Sequence, residues 1–185
     1  MLKDIQSEID VRGVALNRVG IKNIDWPLKV YDKENKFQRT VAKISLSVDL
    51  KHDVKGTHMS RFIEVLNDIE IVKPSVISSI LEIIKARLDA RSSFFECTFP
   101  YFISKKSPVS HSVSPLKIEA AIMAQKKDDE DKMFIGVNVP VQTLCPCSKA
   151  ISQFGAHNQR ANIKILAETP KRIWFEHLVE IAEKS

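Results

Sequence analysis

The thiols of Cys145 and Cys147 and the imidazole of His157 fall in one short stretch, LCPCSKAISQFGAHNQR. Pro146 fixes its own φ and disfavours a helical conformation for Cys145, so Cys-Pro-Cys is predicted to be extended, with both sulfurs on one side. A helical turn through Ser148 to Phe154 and a reversal at Gly155 would then return His157 to them. A closed structural zinc site takes four Cys or His ligands, and the only other cysteine, Cys97, stands alone in FFECTF, where alternation predicts burial as a small hydrophobe. An open site is favoured instead. In it, Cys145 and His157 with ligands from elsewhere would leave a coordination position for water, whose pKa zinc lowers towards neutrality, a hydrolytic arrangement. The spacing is equally compatible with two packed thiols and a histidine in a turn hydrogen bond. A redox pair is disfavoured, because C-x-C is not the C-x-x-C helix start that activates a thiol.

A second group of chemically capable residues lies in DVKGTHMSRF. Gly56 ends a strand, Thr57 is placed to cap a helix, and Lys55, His58 and Arg61 surround its first turn. Helix N-termini attract anions, so three basic groups there would make a phosphate cradle; the alternative is a solvated helix start. GTHMSR and GAHNQR share the pattern G-x-H-x-x-R, one expected at a helix start and the other before a strand. His52, His111 and His177 are assigned no role.

The elements that must position these groups follow from hydrophobic period. An early strand is expected around Val11 to Val30, and Ile44, Leu46, Val48 and Leu50 alternate as a second. Spacings of three and four predict a helix from His58 to Ile69 and another from Pro74 through Leu88, with Pro74 separating them. Alternation returns at Phe95 to Ile103, Leu116 to Ala124, Met133 to Val141 and Ile163 to Ala167; the run KKDDEDK marks a solvated hairpin loop. Thr169-Pro170 predicts a final helix from Lys171 to Glu183. The order is one complete strand-strand-helix-helix-strand-strand unit and half of a second.

The 185 residues are 44% hydrophobic and 28% charged, a globular composition. No apolar run approaches the roughly 20 residues of a membrane span, and the polar, acidic start is unlike a signal peptide, so the chain is expected in the cytoplasm and away from membranes. Three cysteines, an odd number, argue against a disulfide framework. A net charge of +5 suits an anionic partner. No basic block exceeds two residues and no aromatic-basic interleaving occurs, so nucleic acid is not the expected partner.

KGTHMSRF, PVQTLCPCSKAISQFGAHNQRANI and RVGIKNIDWPLKV together resemble the type IB GTP cyclohydrolase family, in the same order from about Arg18 to the end. The resemblance implies an α+β tunnelling fold: an antiparallel sheet with two helices on one face, forming a first module at 1–127 and part of a second at 128–185. It implies a homotetramer with active sites at subunit interfaces and a divalent metal, zinc or manganese, on Cys145 and His157. Cys145 and Cys147 would be the catalytic thiols. The implied reaction is hydrolytic opening of GTP at C8, loss of formate, and closure to 7,8-dihydroneopterin triphosphate in folate biosynthesis. Lys55, His58 and Arg61 then gain a purpose as contacts to the triphosphate. Family members continue beyond Ser185 with further metal-binding residues and a guanine-anchoring glutamate. The 185 residues alone are therefore expected to hold metal weakly or not at all and to lack cyclohydrolase activity; the alternative to the enzyme is a truncated or non-catalytic anion-binding module.

Overall fold

The computed structural model describes residues 13–54, 56–128, 130–153, 158–169 and 173–185. Its first hairpin joins β1 (Leu16–Asp32) to β2 (Lys36–Leu50). Asp32 builds the turn, its Oδ1 accepting the backbone N–H groups of Glu34 at 2.8 Å and Asn35 at 2.6 Å. Asp32 is buried. Burial alone would raise its pKa, but the Asn35 amide, the Gln38 side chain and the Glu34 amide outweigh it and hold the carboxyl below its ordinary value.

α1 (Met59–Asn67) and α2 (Pro74–Arg87) follow, separated by β3 (Ile71–Val72). β3 pairs parallel with Lys29 and Val30 of β1; two residues are too few for an alternation to register in sequence. β4 (Ser92–Lys106), β5 (Val113–Lys127) and β6 (Glu130–Leu144) run as an antiparallel meander. After the short α3 (Pro146–Ile151), β7 (Asn158–Glu168) pairs antiparallel with β6, and α4 (Phe175–Lys184) closes the described chain. All seven strands form one sheet in the order β3-β1-β2-β4-β5-β6-β7.

Period two puts one residue set of each strand on a common face. Ala42, Ile44, Leu46 and Val48 of β2, Phe95, Cys97, Phe99 and Tyr101 of β4, Ile118 to Ala124 of β5 and Ile135 to Val139 of β6 are buried there in alternation. Onto that face pack Phe62, Val65 and Leu66 of α1, Ile77, Ile80, Leu81 and Ile84 of α2, and Phe175, Leu178, Val179 and Ala182 of α4. The expectation named two helices on this face; α4 makes a third. Phe175 anchors it, its ring 5.7 Å from Phe99 edge-on and 5.2 Å from Tyr101. The Tyr101 hydroxyl donates to Glu176 Oε1 at 2.8 Å. Burial first, and the Glu176 carboxylate second, push that hydroxyl's pKa up, so it remains a neutral donor.

Two departures from the expected elements have local causes. The final helix starts at Phe175 with Trp174 as its cap, not at Lys171. Thr169 lies five residues before that cap, its N–H donating to Met133 O at 2.9 Å so that the β6–β7 pairing runs on through it; Pro170 lies outside the described residues. The second strand ends at Leu50, six residues before Gly56.

The sheet is irregular in two places. β1 shifts register between Leu16 and Val19 and again between Ile21 and Ile24, and at Gly20 a Cβ would lie 2.0 Å from Leu46 O. β2 and β4 pair only from Lys43↔Thr98 to Val48↔Ser93. Beyond that ladder Gln38 substitutes for it: its Oε1 accepts Phe102 N–H at 3.0 Å, and its Nε2 donates to Phe102 O at 2.6 Å. Thr40 Oγ1 adds a bond to Pro100 O at 2.9 Å.

Candidate active site

Cys145 leaves β6 and caps α3, with extended backbone at φ −68° and ψ 117°. Pro146 starts the helix, where its missing N–H has no carbonyl to serve and its fixed φ is already helical. The predicted extended Cys-Pro-Cys therefore holds at Cys145 alone, and Cys147 sits inside the first helical turn. Strand alternation does not aim the two sulfurs; the turn of α3 does. Cys145 is half-buried and Cys147 exposed, and both are free thiols.

No side-chain hydrogen bond closes the cap. The backbone N–H of Ser148 first, its hydroxyl second, and more weakly the amide and thiol of Cys147 nevertheless outweigh desolvation and hold the Cys145 thiol below its ordinary pKa. A thiol lowered in this way is better suited than an ordinary one to bind a soft or borderline metal or to act as a nucleophile. Cys97 is its opposite: fully buried on β4 with its thiol pushed up to about 12 by burial, it is inert, as its alternating context predicts. His157 and Lys55 lie outside the described residues, and among the described residues no three His, Cys, Asp or Glu side chains gather as a metal cluster.

The start of α1 differs from the expected cradle. His58, not Thr57, is the cap residue, no side chain closes the cap, and Thr57 is buried. Arg61 reaches across to the other helix, its Nη1 donating to Arg87 O at 2.6 Å, where a cation meets the negative end of α2. The cleft it borders also holds Lys51, Arg87, Asp49 and Asp89. Lys51 pairs with Asp89 at 2.5 Å, and Asp49 Oδ1 accepts Ser92 N–H at 2.5 Å. The cations are thus already engaged, and two carboxylates stand among them.

Register places the two groups at opposite ends of the sheet. Leu50, Ser92, Lys127 and Glu130 share the end that carries the start of α1, whereas Leu144 and Asn158 close the other. The separation approaches the length of β6, about 45 Å at ~3.3 Å per residue. One chain does not bring Cys145 and Arg61 to one small molecule. Ser148, whose amide and hydroxyl act to lower the Cys145 thiol, was not singled out in the sequence.

Comparison with known proteins extends this picture to the whole chain. The sheet and helices superpose on uricase from Arthrobacter globiformis with a TM-score of 0.53 at 8% identity, covering 90% of this chain and 66% of that one; a hyper-thermostable mutant of the same enzyme gives 0.52 over 89% and 64%. At that identity the likeness concerns the fold alone. Among curated proteins, GTP cyclohydrolase FolE2 of Dictyoglomus turgidum is 54% identical over 184 residues, all of this chain and 71% of that protein. GTP cyclohydrolase FolE2 of Thermotoga maritima is 53% identical over the same shares, and that of Caldicellulosiruptor saccharolyticus 48% over 98% and 71%. The family model for type I GTP cyclohydrolase FolE2 matches residues 2–185. With CPCSK at a capped helix start and GAHNQR leading into β7, the chain belongs to the type I GTP cyclohydrolase FolE2 family.

Proposed function

We propose that the chain is a GTP cyclohydrolase of folate biosynthesis, acting in the cytoplasm, that hydrolyses GTP with release of formate and yields 7,8-dihydroneopterin triphosphate. Identity near one half along the whole chain to enzymes bearing that name carries the reading. Cys145 and His157 hold a divalent metal, zinc or manganese. The donor chemistry supports this, since Cys145 is biased to the thiolate that such an ion requires. So does the sequence around the ladder: Leu144 pairs with Asn158, Cys145 directly follows the one and His157 directly precedes the other. When bound, the metal supplies a Lewis acid for the hydrolytic step. Cys147, exposed in the same helical turn, is the second catalytic thiol.

Lys55, His58 and Arg61 take the triphosphate. Because the start of α1 and Cys145 belong to opposite ends of one sheet, the substrate is shared between copies, the start of α1 in one chain serving the α3 turn of another. A homo-oligomer follows, proposed as a tetramer. The fold supports a tunnelling architecture of two modules, 1–127 and 128–185: β6, β7 and α4 repeat the opening β1, β2 and α1, an antiparallel pair followed by a helix on the same face.

Incubating the chain with GTP and either zinc or manganese tests the assignment. If the 185 residues carry the whole site, formate and a fluorescent pterin in equal amounts are expected. Neither product with either metal, despite retained GTP binding, would favour a non-catalytic anion-binding module instead.

A further inference from the structure

The cleft at the start of α1, about 250 Å³ in volume, is lined by four basic side chains, Lys51, His58, Arg61 and Arg87, and by the carboxylates of Asp49 and Asp89. Asp49 is committed to the sheet, its Oδ1 accepting Ser92 N–H at 2.5 Å. Asp89 instead meets Lys51 Nζ through Oδ2 at 2.5 Å, and its side chain is 91% exposed. As a structural residue Asp89 is poorly suited to its place. It follows Leu88, the cap of α2, with φ at +47°, a left-handed position that glycine or asparagine fills with less strain. Its charge also stands just past the last carbonyls of α2, the negative end of that helix. Neither the backbone nor the helix calls for a carboxylate there; what the carboxylate supplies is a counter-ion for Lys51.

We propose that Lys51 is a further contact for the triphosphate, and that Asp89 holds its ammonium group at the cleft until a phosphate group takes the carboxylate's place. This rests on the reading that the start of α1 takes the triphosphate. An ion pair as exposed as this one is screened by water and weak. A polyphosphate brings several charges against the single charge of the carboxylate, so it wins Lys51, and Asp89 turns out into water by rotation about its own side-chain bonds. Lys51 exchanges one anionic oxygen for another and is never left without a counter-ion. Asp89 touches no substrate; it sets how readily Lys51 is released to it.

Inorganic tripolyphosphate is the probe, titrated calorimetrically into the full chain and into Arg61→Ala, Lys51→Met, Asp89→Asn and the variant carrying both Lys51→Met and Asp89→Asn, with each thermal midpoint recorded. Binding is expected to be about tenfold weaker in Lys51→Met, the low end for a hydrogen bond between charged groups. It is expected to be about threefold tighter in Asp89→Asn, where no carboxylate competes. Because Asp89 acts through Lys51, that gain is expected to vanish in the double variant, and Asp89→Asn to melt no lower than the parent. A gain that survives without Lys51 would reduce Asp89 to a charge acting at a distance and overturn the inference. Parental binding in Lys51→Met, or a lowered melting point in Asp89→Asn without tighter binding, would make the pair a structural contact and equally overturn it; weaker binding in Arg61→Ala would then leave the triphosphate reading standing. Parental binding in Arg61→Ala, or none in the parent, would instead remove that reading and the inference with it.

Discussion

Cys97, Cys145 and Cys147 are chemically identical in the sequence and different in the fold. The first is buried with its pKa raised, and the second is half-buried beside donors that favour its anion. Iodoacetamide at pH 8 is therefore expected to modify Cys145 and Cys147 in the native chain and Cys97 only after denaturation, which peptide mass spectrometry resolves; a native adduct on Cys97 would contradict its burial. Asp32 sets a second residue-scale expectation. Its folded pKa lies below the ordinary 3.8, so the stabilisation it gives is present above that value and is lost as pH falls through the folded one. Asp32→Asn is expected to cost about 2 kcal/mol near neutrality, the range of hydrogen bonds to a charged group. The gap to the parent in denaturant midpoint closes below about pH 4, whereas a gap independent of pH would show that the carboxylate's charge is not what matters. The closeness of Cys145 and Cys147 along the chain was legible from spacing. Their geometry was not, because Pro146 satisfies the conformational demands of both an extended chain and a first helical turn, and only the surrounding packing chooses between them.

At the scale of elements, strands with one buried face were legible wherever apolar and polar residues alternate, as in Phe95 to Ile103 and Leu116 to Ala124. β1 was harder to bound because its two register shifts interrupt the period. One of its residues has no tolerance for change. Gly20→Ala would drive a methyl group into Leu46 O, and overpacking against backbone predicts a loss of about 3 kcal/mol, visible as a lower urea midpoint; an unchanged midpoint would mean that β1 relaxes freely there. The start of α4 was misplaced by four residues for a different reason. Thr169-Pro170 has the composition of a helix start, but the β6–β7 pairing runs on to Thr169 and the helix begins only at Phe175, a tertiary extension that local sequence does not record. Of the cleft at the start of α1, the sequence shows His58 and Arg61, but Arg87, Asp89 and Asp49, which line it with them, come from distant parts of the chain.

For the whole molecule, the decisive fact is that the α1 start and the α3 turn stand at opposite ends of one sheet. A shared site predicts that Cys145→Ala and Arg61→Ala, each inactive by itself, recover activity when co-refolded, because some interfaces then unite two intact halves. Random assembly of equal amounts sets the yield at about a quarter of the parental rate. No recovery in demonstrably mixed oligomers would place the whole site in one copy and remove Arg61 from it. This arrangement was beyond reach of sequence, since residues 61 and 145 acquire a relative position only through the register of four strands, β2, β4, β5 and β6.

The gap between β2 and β4 has a consequence for how the sheet breathes. At Phe102 the amide proton is held by a glutamine side chain where a neighbouring strand would ordinarily hold it, and a side chain swings away in a single rotation while a ladder must unzip. In deuterium exchange this amide is expected to report the swing of Gln38, trading its proton far sooner than the amides inside the Lys43 to Val48 ladder. The β1–β2 turn then has a built-in hinge line, along which it can lift from β4 while the rest of the sheet stays sealed.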